Sequence, residues 1–196
     1  MPASRRVVAG WRRLGAQHGV TICFVWAVAE ATVWPVIPDI ALFLLILATP
    51  RKTLNFLGAT VAGTTLGGVI TLLVAFAAPQ FALHAVLAVP LVHEQSVPTV
   101  QAHLQDWSLP HAFLFQPWSG IPFKLWAVLA VAAGHQPLTI APFFVVGRAL
   151  RFAAVSLVAA TLGRLLERRL PDLAVPLAIL FGPAGVYTFY RIAIAG

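Results

Sequence analysis

The chain has 196 residues, 60% hydrophobic and only 10% charged, with a formal net charge of +7. A soluble fold of this length has too little interior to hide so much apolar surface, so the composition excludes an ordinary soluble domain and indicates an integral membrane protein. The basic excess does not describe a nucleic-acid surface, because the Arg and Lys residues stand in short groups beside apolar segments and not along one polar face.

Residues 1–18 form a basic N-terminal segment with Arg5, Arg6, Arg12 and Arg13, and are expected in the cytoplasm. Glu30 closes the next apolar stretch where a cleavage site would stand, so no removable signal peptide is evident. The segment 19–48 has basic groups at both ends, Arg51 and Lys52 following it. Short loops rich in Lys and Arg stay in the cytoplasm, so this segment is expected to enter the membrane and return on the same side. Pro35 and Pro38 stand near its middle, where a missing amide donor and a ring clash break a helix and make the tip of a re-entrant hairpin. Irregular backbone at membrane depth requires protein or water around it, so the tip should face the interior.

Residues 53–79 exceed the roughly 20 needed to cross a bilayer, and Gly58, Gly63, Gly67 and Gly68 would let a neighbouring backbone come close. The segment 80–111 has no Lys or Arg and carries Glu94 and Asp106, which predicts an extracytoplasmic region of short interfacial helices. Residues 112–136 are a second broken segment with Pro117, Gly120 and Pro122 at its tip, expected to enter from outside. The helix expected at 138–163 returns to Arg164, Arg168 and Arg169, and a C-terminal transmembrane helix is expected at 173–192. On this scheme nine basic residues lie inside, Arg191 lies outside, and Lys124, Arg148 and Arg151 fall within apolar segments. The expected fold is an all-α membrane protein with two re-entrant hairpins, about three transmembrane helices and short interfacial helices. The expected location is the inner membrane, multi-pass, with a cytoplasmic N-terminus.

An offset of 84 positions lays Ile37 over Ile121 and makes the Ile-Pro pairs, Leu54 with Leu138, and Gly63 with Gly147 coincide. With the topology above, the two hairpin-plus-helix units are inverted copies, the recurrent plan of secondary transporters. Thr64 and Gly67 stand over Arg148 and Arg151, whereas Glu30 and Asp39 belong to the first hairpin alone. Acid comes from one half and base from the other.

A charge at the bilayer centre costs from about 3 to above 10 kcal/mol, so such groups pair or line a polar cavity. Glu30, Asp39, Lys124, Arg148 and Arg151 are therefore the candidate substrate- and proton-binding residues. Arg148 and Arg151 are three apart and share a helix face. The guanidinium fork suits phosphate better than a sugar or a cation. Two readings stay open: a site for a phosphate-bearing substrate with Glu30 or Asp39 exchanging protons, or a purely architectural lock between the hairpins.

Other features carry less. Cys23 is the only cysteine and permits neither an internal disulfide nor a multi-thiolate site. The spacing of His84, His93, His103 and His111 matches no compact ligand motif, so no metal or cofactor is expected. Trp107, Trp118 and Trp126 read as interface anchors. No HExxH or GxSxG motif is present, and the chain is not expected to be an enzyme.

The run Glu30…Pro35…Pro38-Asp39 resembles the acidic, proline-containing motif of the DedA family, also called SNARE-associated or VTT-domain proteins. The glycine-rich helix after it and "IPFKLWAVLAVAAG", followed by "GRALRF", are similar to that family's second half. The resemblance covers roughly residues 20–160. It implies two opposed re-entrant hairpins and translocation of phospholipids or polyprenyl-phosphate carriers, with membrane lipids and protons as partners. It also implies Glu30 and Asp39 as the acidic pair, with Lys124, Arg148 and Arg151 in the basic positions. The chain differs in having no acid in the glycine-rich helix and Lys124 where arginine is commoner. A non-transporting scaffold that supports envelope integrity is the alternative expectation.

Overall fold

The computed structural model describes residues 3–90 and 92–169, and among these there are helices and turns but no strand. Helix α1 spans Ala3–Thr32 and α2 spans Asp39–Ala48, with an irregular stretch at 33–38 between them. A 3₁₀ turn at Pro50–Lys52 leads into α3, Thr53–Ala77. Three short helices follow, α4 at Pro79–Leu87, α5 at Ser96–Asp106 and α6 at Leu109–Phe115. A second 3₁₀ turn, Gln116–Trp118, precedes α7 at Phe123–Ala132, and α8 runs over Pro137–Arg169.

Proline and glycine set most of these boundaries. Pro79 and Pro137 open α4 and α8, at a first-turn position where the missing amide has no helical partner to lose. Asp39 opens α2 and places a carboxylate at the positive end of its dipole. Gly134 adopts φ 93° after α7. Its amide donates to the Val131 carbonyl at 2.9 Å and that of His135 to the Ala130 carbonyl at 3.1 Å, a Schellman closure that requires the left-handed residue. Gly120, at φ 74°, turns the chain between Trp118 and α7.

Two boundaries differ from the sequence expectation. The basic segment 1–18 is no separate element, since α1 is continuous from Ala3. No proline lies between Ala3 and Thr32, and a run of arginines marks topology without stopping a helix. Helix α8 likewise continues through Arg164 and Arg168 to Arg169. The expected helix at 173–192 lies outside the described residues.

The chain divides into two compact units. Among the described residues, one comprises 3–26, 38–62 and 152–169, the other 27–37 and 63–151. In the first, Cys23, Leu42, Leu45, Ile46, Phe56, Phe152, Ala159 and Ala160 make the core. Gly19 receives the Phe56 ring so closely that a Cβ would lie 2.6 Å from it. Lys52 Nζ donates to the Ala16 carbonyl at 2.8 Å.

In the second unit, α7 is buried along most of its length against α4 and α5. Trp126 is fully buried, which corrects the reading of it as an interface anchor: its ring stacks on His103 with centroids 5.7 Å apart. His103 stacks in turn on Trp107 at 4.0 Å, and Trp107 on His111 at 4.5 Å. These contacts give Trp107 and two of the four histidines a packing role. Among the described residues, no group of three or more His, Cys, Asp or Glu is placed to hold a metal.

Two stretches, Pro50–Ala77 and Pro137–Leu165, are long and apolar enough to cross a membrane. Leu66, Ile70, Leu73 and Phe76 on α3, and Leu150, Leu157, Val158 and Leu162 on α8, are exposed.

Candidate functional site

The unit formed by 27–37 and 63–151 brings together Glu30, Lys124, Arg148 and Arg151. Glu30 lies two residues before the end of α1. That end is closed locally: the amides of Val33 and Trp34 both donate to the Ala29 carbonyl, at 2.8 and 2.7 Å. Thr32 Oγ1 donates back to the Val28 and Ala29 carbonyls at 2.9 and 3.0 Å. The Thr71 hydroxyl on α3 donates to the Ala31 carbonyl at 2.6 Å.

Glu30 and Arg148 are both buried, and one Arg148 terminal nitrogen lies 3.1 Å from each Glu30 carboxylate oxygen. Burying such a pair removes two charges from water, a cost that their attraction offsets only with good geometry and further hydrogen bonds. The Arg148 guanidinium carbon also stands 5.7 Å from the centre of the Phe123 ring, within cation–π range. Phe123 is held by Phe144, with ring centroids 3.8 Å apart. Phe144 fills the space beside Gly68, where a Cβ would lie 2.2 Å from the ring. The glycine on α3 thus supports an aromatic floor under Arg148.

The other two cations reach the irregular stretches. Lys124, fully buried at the start of α7, donates from Nζ to the Trp34 carbonyl at 2.8 Å. Arg151, partly buried one turn beyond Arg148 on α8, donates from NH1 to the Pro117 carbonyl. Each break therefore presents a main-chain carbonyl that a helix would have used internally, and each carbonyl is satisfied by a cation. Gln116 Nε2 closes the second break by donating to the Ile121 carbonyl at 2.9 Å. Its Oε1 is buried and has no hydrogen-bond partner among the described residues.

Of the other predicted residues, Pro35 and Pro38 fall in the stretch 33–38, while Pro117, Gly120 and Pro122 fall between α6 and α7. Asp39 is buried at the first turn of α2 and falls in the other compact unit. The sequence reading missed Phe123 and Phe144 as the support of Arg148, and the carbonyls of Trp34 and Pro117 as partners of Lys124 and Arg151. Main-chain acceptors leave no residue-type signal. Phe123, adjacent to Lys124 in sequence, did leave one.

Comparison with family models, with curated proteins and with solved structures found no match.

Proposed function

We propose that this protein is a multi-pass inner-membrane carrier of the DedA type that translocates an amphiphilic, phosphate-bearing lipid. The substrate is a phospholipid or a polyprenyl-phosphate carrier, and its headgroup binds between two re-entrant hairpins while its tails stay in the bilayer. The observation that carries the reading is the gathering of buried Glu30, Lys124 and Arg148 and partly buried Arg151 at two breaks in the helices. Buried charge at helix breaks is the recurrent composition of transporter sites. The apolar side chains exposed along α3 and α8 supply the lipid-facing surface that such a protein requires. The acidic, proline-containing motif supports the family reading.

Phosphate and carboxylate are both forked anionic acceptors, so an incoming headgroup competes with Glu30 for Arg148. Protonation of Glu30 weakens the pair and favours the exchange, which couples lipid binding to a proton. The direct test is reconstitution into liposomes with headgroup-labelled lipids. Wild type should move label across the bilayer, and Arg151→Ala should slow this at least tenfold, on the order expected when one phosphate donor is removed. Protein-loaded vesicles that move no lipid would refute the carrier.

The second reading, a non-transporting scaffold, is favoured by one observation: Arg148, Lys124 and Arg151 all engage groups of the protein itself. It predicts that the exchanged pair Glu30→Arg with Arg148→Glu restores function. A carrier should remain inactive with that exchange, because the substrate requires the cation on α8.

The topology has its own test. In a Cys23→Ala background, single cysteines at 51 and 166 should resist a membrane-impermeant maleimide applied from outside, and one at 95 should react. Labelling at 51 would overturn the cytoplasmic assignment of the N-terminal half.

A further inference from the structure

We propose that Trp34 and Trp118 form an apolar subsite for the hydrocarbon chain of the amphiphile whose phosphate the cations receive. The inference rests on the phosphate-site reading above and extends it from headgroup to tail.

Four observations converge on these two residues. Both indoles are exposed, at 49% and 52%, whereas Trp126 in the same unit is fully buried. They coincide in the repeat register, since the offset that lays Ile37 over Ile121 also lays Trp34 over Trp118 (118 minus 34 is 84). Each stands at a helix break whose carbonyl a cation of the site holds: Lys124 binds the carbonyl of Trp34 itself, and Arg151 that of Pro117, the residue before Trp118. An exposed apolar neighbour, Val33 at 70%, extends the first of them.

An indole is a large, rigid apolar surface that loses little conformational entropy on contact. A tryptophan serving only as a bilayer anchor has no reason to recur in register at both breaks, beside carbonyls clamped by the headgroup cations. An amphiphile whose phosphate reaches Lys124 or Arg151 must lay its first methylenes past the rim of a break, and there the indoles stand. The pair thus selects for a hydrocarbon chain attached close to the phosphate, and discriminates against phosphate alone.

The experiment measures equilibrium binding of radiolabelled dodecyl phosphate and of inorganic phosphate to the full chain in phosphatidylcholine nanodiscs, with binding to empty discs subtracted. Wild type should bind both, dodecyl phosphate the more tightly. The Trp34→Ala, Trp118→Ala double variant should lose about tenfold or more in dodecyl phosphate affinity, as expected from removing two half-exposed indole faces. It should keep its inorganic phosphate affinity within about twofold. Lys124→Gln should weaken both ligands, and the Trp34→Phe, Trp118→Phe variant should recover most of the dodecyl phosphate affinity. A double alanine variant that melts as wild type and binds dodecyl phosphate within about twofold of it would overturn the subsite and reduce the tryptophans to bilayer anchors, leaving the phosphate site standing. Failure of wild type to bind either ligand would overturn the phosphate site and this inference together.

Discussion

Replacing Glu30 by alanine is expected to destabilise the protein by about 3–5 kcal/mol, because it takes a carboxylate away from the buried Arg148 guanidinium. Denaturant or thermal unfolding in detergent micelles, followed by circular dichroism, reads the loss. Arg148→Met should cost a similar amount by stranding Glu30. The informative variant is the double one, Glu30→Leu with Arg148→Met, which removes both charges together. Well-packed apolar pairs often replace buried ion pairs at no net cost, so the double variant should regain most of the lost stability. On the carrier reading its transport should stay abolished, since neither the arginine fork proposed to bind phosphate nor the acid proposed to carry the proton remains. Stability and transport therefore separate in one protein. A double variant that is stable and still moves lipid would mean that the pair only locks the fold, as the scaffold reading requires.

The breaks were legible because proline and glycine act locally: Pro35, Pro38, Pro117, Gly120 and Pro122 all fall outside the helices that flank them. The charged residues were legible because apolar segments tolerate none without a reason. What could not be read was the pairing. Glu30 meets Arg148 from 118 positions away, a separation over which the sequence carries no pairing signal. Such a pairing is a tertiary property with no local signature. Trp126 shows the same limit, since an indole stacked in a core and one seated at a membrane surface are the same letter. The continuity of α1 through its arginines was missed for another reason: charge asymmetry reports the side of the membrane and says nothing about where a helix begins.

The glycine at 67 should prove as consequential as the charges. A Cβ at this position would lie 2.6 Å from the Val28 carbonyl oxygen, 2.9 Å from the Ala31 Cβ and 3.1 Å from the Val28 Cα. Two of those atoms are main chain and cannot rotate away, so Gly67→Ala must push the last turn of α1 off α3. That turn carries Glu30, and the Thr71 hydroxyl, one helical turn beyond Gly67, ties down its Ala31 carbonyl. The expected cost is about 1–3 kcal/mol of stability. Transport should fall on the order of tenfold or more, because misplacing a binding group by a fraction of its hydrogen-bond length is enough to lose its function. Gly58→Ala is the control: nothing among the described residues lies within 4 Å of its Cβ position, so the better helix former should leave transport unchanged and add up to about 1 kcal/mol. If Gly67→Ala acts by moving Glu30 away from Arg148, combining it with Glu30→Gln should cost less than the sum of the two single changes, as coupled neighbours do. Strict additivity would place the effect of Gly67 in helix packing alone and detach it from the charged site.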